Sequence, residues 1–149
     1  MAPSPNEERL NVSNMLLTIS PPRGTDNYGS GAFGASRGDR THRGMDFACA
    51  AGAIVLSPVS GVVTRLGYAY ADDLSYRYVE VEDESNKRHR IFYISPTISV
   101  GSEVYSQTTQ IGIVQDLTKR YPNGMTNHVH YEVKSDGKFV NPCASARRY

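Results

Sequence analysis

The chain has 149 residues, with 39% hydrophobic and 21% charged positions. That is the size of one domain able to bury its own core. Its 16 Lys+Arg against 15 Asp+Glu leave a formal charge of +1, which argues against a broad nucleic-acid or polyanion surface. No apolar run approaches the roughly 18 residues of a membrane-spanning helix.

The amino terminus, MAPSPNEERLNVSNMLLTIS, lacks a basic start followed by an apolar stretch and does not read as a secretory signal. Residues 1–30 hold Pro3, Pro5, Pro21, Pro22 and Gly24 around one apolar patch, Met15-Leu16-Leu17. They are expected to form an arm or packing segment, with the domain proper over 31–149. Strand signals follow. Ala53–Leu56 and Gly61–Leu66 flank a turn at Ser57-Pro58-Val59-Ser60. Tyr76–Glu82 alternates at period two, Asp83–Lys87 is a polar turn, and His89–Ser95 returns, which predicts a β-hairpin. Val100–Val104 and Gln110–Val114 are further short strands, and Gln115–Tyr121 reads as a helical turn. His128–Lys134, Ser135-Asp136-Gly137-Lys138 and Phe139-Val140 predict a second hairpin. Ten Tyr, 13 Gly and no Trp agree with a mainly β, antiparallel domain. Cys49 and Cys143 are too few for a disulfide scaffold and form no CxxC zinc knuckle.

Three of the four histidines fall in two short motifs, His42-Arg43-Gly44-Met45-Asp46 and His128-Val129-His130. In a strand, residues two apart share a face at about 6.5–7 Å. His128 and His130 can then hold one metal together, or one binds while the other overhangs the open position; Val129 faces the core. A straight strand would hold His42 and Asp46 roughly 13 Å apart, so both reach one ion only if the chain bends. Gly44 is expected to supply that bend through backbone angles other residues avoid. Three nitrogen and oxygen donors with a spare His suit zinc better than calcium or magnesium.

These motifs, in this order, resemble the LytM/lysostaphin-type zinc peptidases of the M23 family. Phe33-Gly34-Ala35-Ser36-Arg37 resembles the family's FG-x-x-R stretch, and His42–Phe47 its H-x-G-x-D-F motif. Ala51–Val55, Ser57–Val63, Gly101–Val104 and Gln110–Gly112 resemble its central stretches. Asn127–Val133 resembles its closing HxHFE strand and Val140-Asn141-Pro142 its final V-[DN]-P. The resemblance implies an antiparallel β-sheet groove, a distorted sandwich, with Zn2+ held by His42, Asp46 and His130 and with His128 assisting the attacking water. It implies an endopeptidase acting on the peptides of bacterial peptidoglycan.

One position departs from that pattern. The family's active members carry a second catalytic His in a YAHLS strand, where this chain has Phe92-Tyr93-Ile94-Ser95. His89, four residues earlier on the same predicted strand face, is too far to replace it. Tyr93, with an ordinary pKa near 10, is expected to donate to the developing oxyanion, leaving His128 as general base. Glu132 shares the face of His128 and His130 and either orients a histidine or makes a surface ion pair. The Tyr-for-His change and the Tyr121-Pro122-Asn123-Gly124 stretch are also similar to the leukocyte cell-derived chemotaxins of animals, secreted signalling proteins without established peptidase activity. The expected function is therefore a zinc endopeptidase, phage-encoded, virion- or tail-associated or released to the cell envelope. Its partners would be peptidoglycan peptides and virion or tail proteins, with no nucleic acid. The alternative is an inactive zinc-stabilised binding or structural module.

Overall fold

The computed structural model describes residues 23–26, 29–35 and 42–142. Met15-Leu16-Leu17, Arg37 and Cys143 lie outside the described residues. Among the described residues the strands run β1 (Thr25–Asp26), β2 (Gly29–Ser30), β3 (Met45–Ala48), β4 (Ile54–Leu56), β5 (Gly61–Tyr70) and β6 (Asp73–Asp83). They continue as β7 (Arg88–Phe92), β8 (Ile94–Pro96), β9 (Glu103–Val104), β10 (Gln110–Val114), β11 (His128–Ser135) and β12 (Lys138–Val140).

Three antiparallel sheets result. The large one runs β12-β11-β7-β6-β5-β9, a smaller one runs β4-β10-β8, and β1 pairs with β2. Strand β11 is the hinge of the site. Strand β7 lies along one edge of it, so β3 (opposite His128–Tyr131) and β12 (opposite Val133–Ser135) share the other. Both predicted hairpins form. Asp83 Oδ1 accepts from the amides of Ser85 and Lys87 at 2.8 and 3.0 Å, closing the β6–β7 turn. Asp136 and Gly137, at φ 51° and 77°, make the two-residue turn between β11 and β12 that an Asp-Gly pair favours. The 57–60 turn does not close a hairpin; it carries the chain from the small sheet to the large one.

Alternation along the strands sorts the side chains. Val129, Tyr131 and Val133 on β11, Ile91 on β7, Val79 and Val81 on β6 and Val63 on β5 enter one core. Val55, Ile94, Ile111 and Val114 from the small sheet complete it. Val129 is fully buried there, as the alternation of His128-Val129-His130 requires. The Gln115–Tyr121 stretch forms one turn, the Tyr121 amide donating to the Leu117 carbonyl at 2.9 Å. Asn127 anchors that loop by accepting from the Leu117 amide and donating to the carbonyls of Cys49 and Gln115.

The predicted strand over His89–Ser95 is instead broken at Tyr93, whose φ is 72°. The Tyr93 amide donates to the Arg77 carbonyl at 2.8 Å, and its carbonyl accepts from the Gln115 amide at 2.9 Å. A left-handed aromatic residue costs on the order of 1–3 kcal/mol and persists only where the surroundings over-determine it. The break reverses the alternation, so the expectation that His89 and Tyr93 share a face is corrected. His89 points into the core, bonded to the Tyr131 hydroxyl at 2.7 Å and to Asp83 at 2.8 Å. The Tyr93 ring instead meets His128 edge-on at 5.5 Å.

Candidate metal centre

Strands β3 and β11 bring the two histidine motifs together, because Asp46 pairs directly with His130 in their register. His42 precedes β3, and the chain turns at Arg43-Gly44 to bring it alongside. The reason for glycine here differs from the expected one. Gly44 does not have a positive φ. A Cβ at this position would sit 2.3 Å from the Tyr131 carbonyl oxygen, so the residue is small to let β3 meet β11.

His42 Nε2 and His130 Nδ1 are 2.8 Å apart, and Asp46 Oδ1 lies 3.3 and 2.9 Å from them. The outer bonds of each ring set its tautomer. His42 Nδ1 lies 3.0 Å from the Ala32 carbonyl, which can only accept. His130 Nε2 lies 2.9 Å from the Glu132 carboxylate. His42 therefore donates outward and turns its Nε2 lone pair inward; His130, between the carboxylates of Asp46 and Glu132, does the same when its single proton sits on Nε2. With the ring protons on the outer nitrogens, two imidazole lone pairs and a carboxylate oxygen converge. Such a set calls for a cation, and its two nitrogens and one oxygen suit zinc. His42, Asp46 and His130 place one donor atom each within 4.8 Å of one another.

His128 stands beside this set. Its Nδ1 donates to the Thr126 carbonyl at 2.7 Å, and its Nε2 lies 3.4 Å from Asp46 Oδ2. Burial holds its pKa below the ordinary imidazole value, so it is a neutral base with an inward lone pair. Burial also opposes charge on Asp46 and His130. The ring nitrogens beside Asp46 nevertheless keep its carboxyl well below the usual range, and Asp46 and Glu132 raise His130. Glu132 is buried rather than a surface residue, and it meets Arg90 at 3.5 Å as well as His130. Burial pushes the Tyr93 hydroxyl up to about 12, so it keeps its proton at neutral pH.

The five residues singled out from sequence, His42, Asp46, Tyr93, His128 and His130, all line one groove of about 550 Å³. A neighbouring cavity of about 610 Å³, beyond Arg120, contains none of the histidines. Sequence reasoning missed several residues of the groove. Arg23 is buried, donates to Asp46 Oδ2 at 2.9 Å and clasps Asp26. Its backbone amide also donates to the Asp46 carbonyl at 2.8 Å. It lies in a Pro- and Gly-rich stretch with no periodicity to mark it. Tyr70 was equally silent, and Tyr121 was marked only as the start of the Tyr121-Pro122-Asn123-Gly124 stretch, with no link to Tyr93.

Comparison with known proteins gives three kinds of likeness. The model of peptidase family M23 matches residues 40–142. Mouse leukocyte cell-derived chemotaxin-2 is 30% identical over 116 residues, which span 74% of this chain and 71% of that protein. The catalytic domain of the antimicrobial peptidase lysostaphin from Staphylococcus simulans superposes with a TM-score of 0.63 at 19% identity, over 91% of this chain and 98% of its own. The catalytic domain of the prophage-encoded M23 protein EnpA from Enterococcus faecalis gives 0.60 at 19% identity, over 84% and 90%. At these identities the two structural likenesses establish the fold.

Proposed function

The chain belongs to peptidase family M23, and from that premise we propose that it is a zinc-dependent endopeptidase hydrolysing peptide bonds of bacterial peptidoglycan. The observation that carries the proposal is the convergence of His42 Nε2, His130 Nδ1 and Asp46 Oδ1, with Ala32 and Glu132 placed to take the ring protons on the far sides. These three residues would hold the ion, the number of protein ligands a catalytic zinc site uses. Zinc there would supply Lewis-acid polarisation of the scissile carbonyl and bring the pKa of a water toward about 7.

The remaining roles fall to the chain's own side chains. His128 takes the proton of the attacking water on Nε2, since Nδ1 is committed to Thr126, and returns it to the leaving amine. Tyr93, neutral and half-buried, donates to the carbonyl oxygen as negative charge gathers on it. Arg23 pins the second oxygen of Asp46. We also propose residues 1–30 as a packing arm on the 31–149 domain; the contact of Arg23, one of its described residues, with Asp46 is what such an arm would make. The biological setting we propose is a phage product in the virion tail, bound to tail proteins, or released to the envelope. The fold it shares with a prophage-encoded domain agrees with that setting.

A second reading has its own observation. Tyr93 stands where active M23 members carry histidine, and the chain is 30% identical to a chemotaxin. The site would then be a zinc-stabilised binding module. Digestion of purified peptidoglycan, read by mass spectrometry of released muropeptides, decides between them. New amine ends that vanish in His130→Ala support the peptidase. No cleavage across several wall chemotypes by zinc-loaded protein favours the module.

A further inference from the structure

The Tyr93 hydroxyl does not stand alone. Tyr70, the last residue of β5, donates to it at 3.1 Å. The hydroxyls of Tyr70 and Tyr121 are 2.8 Å apart. Arg120 Nε lies 3.4 Å from the Tyr121 hydroxyl, and its guanidinium carbon sits 3.7 Å from the centre of the Tyr70 ring. Asp72 and Asp73 hold that guanidinium at 3.4 and 3.6 Å. The groups come from three separated segments: the β5–β6 tip, the β7–β8 break and the turn after β10.

The direction of this chain follows from proton counting. A guanidinium only donates, and each phenol has one proton. The Tyr70 proton is spent on Tyr93, so in the Tyr70–Tyr121 bond the proton belongs to Tyr121. Arg120 supplies the Tyr121 oxygen. Every proton therefore points the same way, and the last one, on Tyr93, is left for the groove. We propose that Tyr70, Tyr121 and Arg120 are positioning residues that form a one-way hydrogen-bond chain aiming the Tyr93 O–H at the carbonyl oxygen of a bound peptide.

This rests on the reading of Tyr93 as an oxyanion donor. It explains how a phenol serves where the family uses an imidazole. A cation at the far end polarises the chain toward the groove, and successive bonds strengthen one another. Burial pushes the Tyr70 hydroxyl above its ordinary range, which keeps the middle link protonated. The left-handed backbone at Tyr93 is what turns its ring to meet Tyr70 at all.

The test uses Tyr70→Phe, which keeps the ring and removes only the hydroxyl. The expected result is a fall in kcat of roughly five- to tenfold, the worth of one ordinary hydrogen bond, with KM and zinc content unchanged. In a Tyr93→Phe background the same change should cost nothing further. Equal losses in both backgrounds overturn the chain. A second readout needs no turnover: the 13Cζ resonance of Tyr93 reports hydrogen bonding at its oxygen. It should move in Tyr70→Phe and, by less, in Tyr121→Phe and Arg120→Gln. An unmoved resonance overturns the chain whatever the activity. A moved resonance in a protein that cleaves no wall keeps the chain and refutes the peptidase reading.

Discussion

Replacing Gly44 with alanine sets two accounts of that residue against each other. An ideal Cβ at Gly44 falls 2.3 Å from the Tyr131 oxygen, 2.9 Å from its carbonyl carbon and 3.0 Å from the Glu132 Cα. A carbon rests at about 3.3 Å or more from a carbonyl oxygen, so relief requires roughly 1 Å of added separation. All three obstacles are backbone atoms, and no rotamer change absorbs the shift. The displaced part of β11 carries His130, which faces Asp46 in register. Overpacking should cost about 1–3 kcal/mol. A misplacement of about 1 Å costs on the order of 10²-fold in rate, and we expect zinc affinity to fall roughly 10- to 100-fold. If glycine served only for backbone freedom, alanine would instead stabilise by about 0.4–1 kcal/mol, because Gly44 does not occupy the left-handed region. The two accounts differ in sign. Urea unfolding of the zinc-free protein and zinc titration against a chromophoric chelator measure both quantities. A Gly44→Ala protein as stable as wild type, with zinc affinity within about twofold, would refute the reasoning.

Other perturbations probe the rest of the site. Glu132→Gln removes the carboxylate that fixes the His130 tautomer; zinc affinity measured by chelator competition should drop about 10- to 100-fold, and unchanged affinity would contradict that role. Tyr93→Phe should lower kcat by about 10²–10³ with zinc stoichiometry intact; a rate near wild type removes Tyr93 from the mechanism. Burial holds His89 below the ordinary imidazole pKa, so the unfolded chain protonates first as pH falls past about 6.5. Its contribution is full above that pH and is lost as pH falls toward the folded pKa. Between about pH 7.5 and about pH 5.5, His89→Gln should lose less unfolding free energy than wild type, and an equal loss would show that His89 does not set this slope.

The elements that could be read from sequence were those specified by neighbours along the chain. The β6–β7 hairpin is signalled by its polar turn, and the β11–β12 hairpin by Asp136-Gly137. His128-Val129-His130 gives its own facing, because alternation needs no information beyond the strand. The metal residues were legible as types and spacing, while their approach depends on β3 pairing with β11. What escaped depends on distant contacts. His89–Ser95 reads as one alternating strand; the amide and carbonyl bonds of Tyr93 to Arg77 and Gln115 break it and reverse the facing beyond. Gly44 reads as a freely turning residue because a sequence does not show the backbone of Tyr131 pressed against it. Arg23 and Tyr70 act on partners 23 residues away, each in a local setting that signals only a loop or a strand end.

The most direct test is zinc stoichiometry across four alanine variants, His42→Ala, Asp46→Ala, His128→Ala and His130→Ala, each dialysed against limiting zinc and assayed by elemental analysis. The account predicts one zinc in wild type, retention in His128→Ala with loss of peptidase activity, and loss of the metal in the other three. Zinc lost from His128→Ala, or kept by His42→Ala or His130→Ala, would contradict the division between residues that hold the ion and the one that moves the proton.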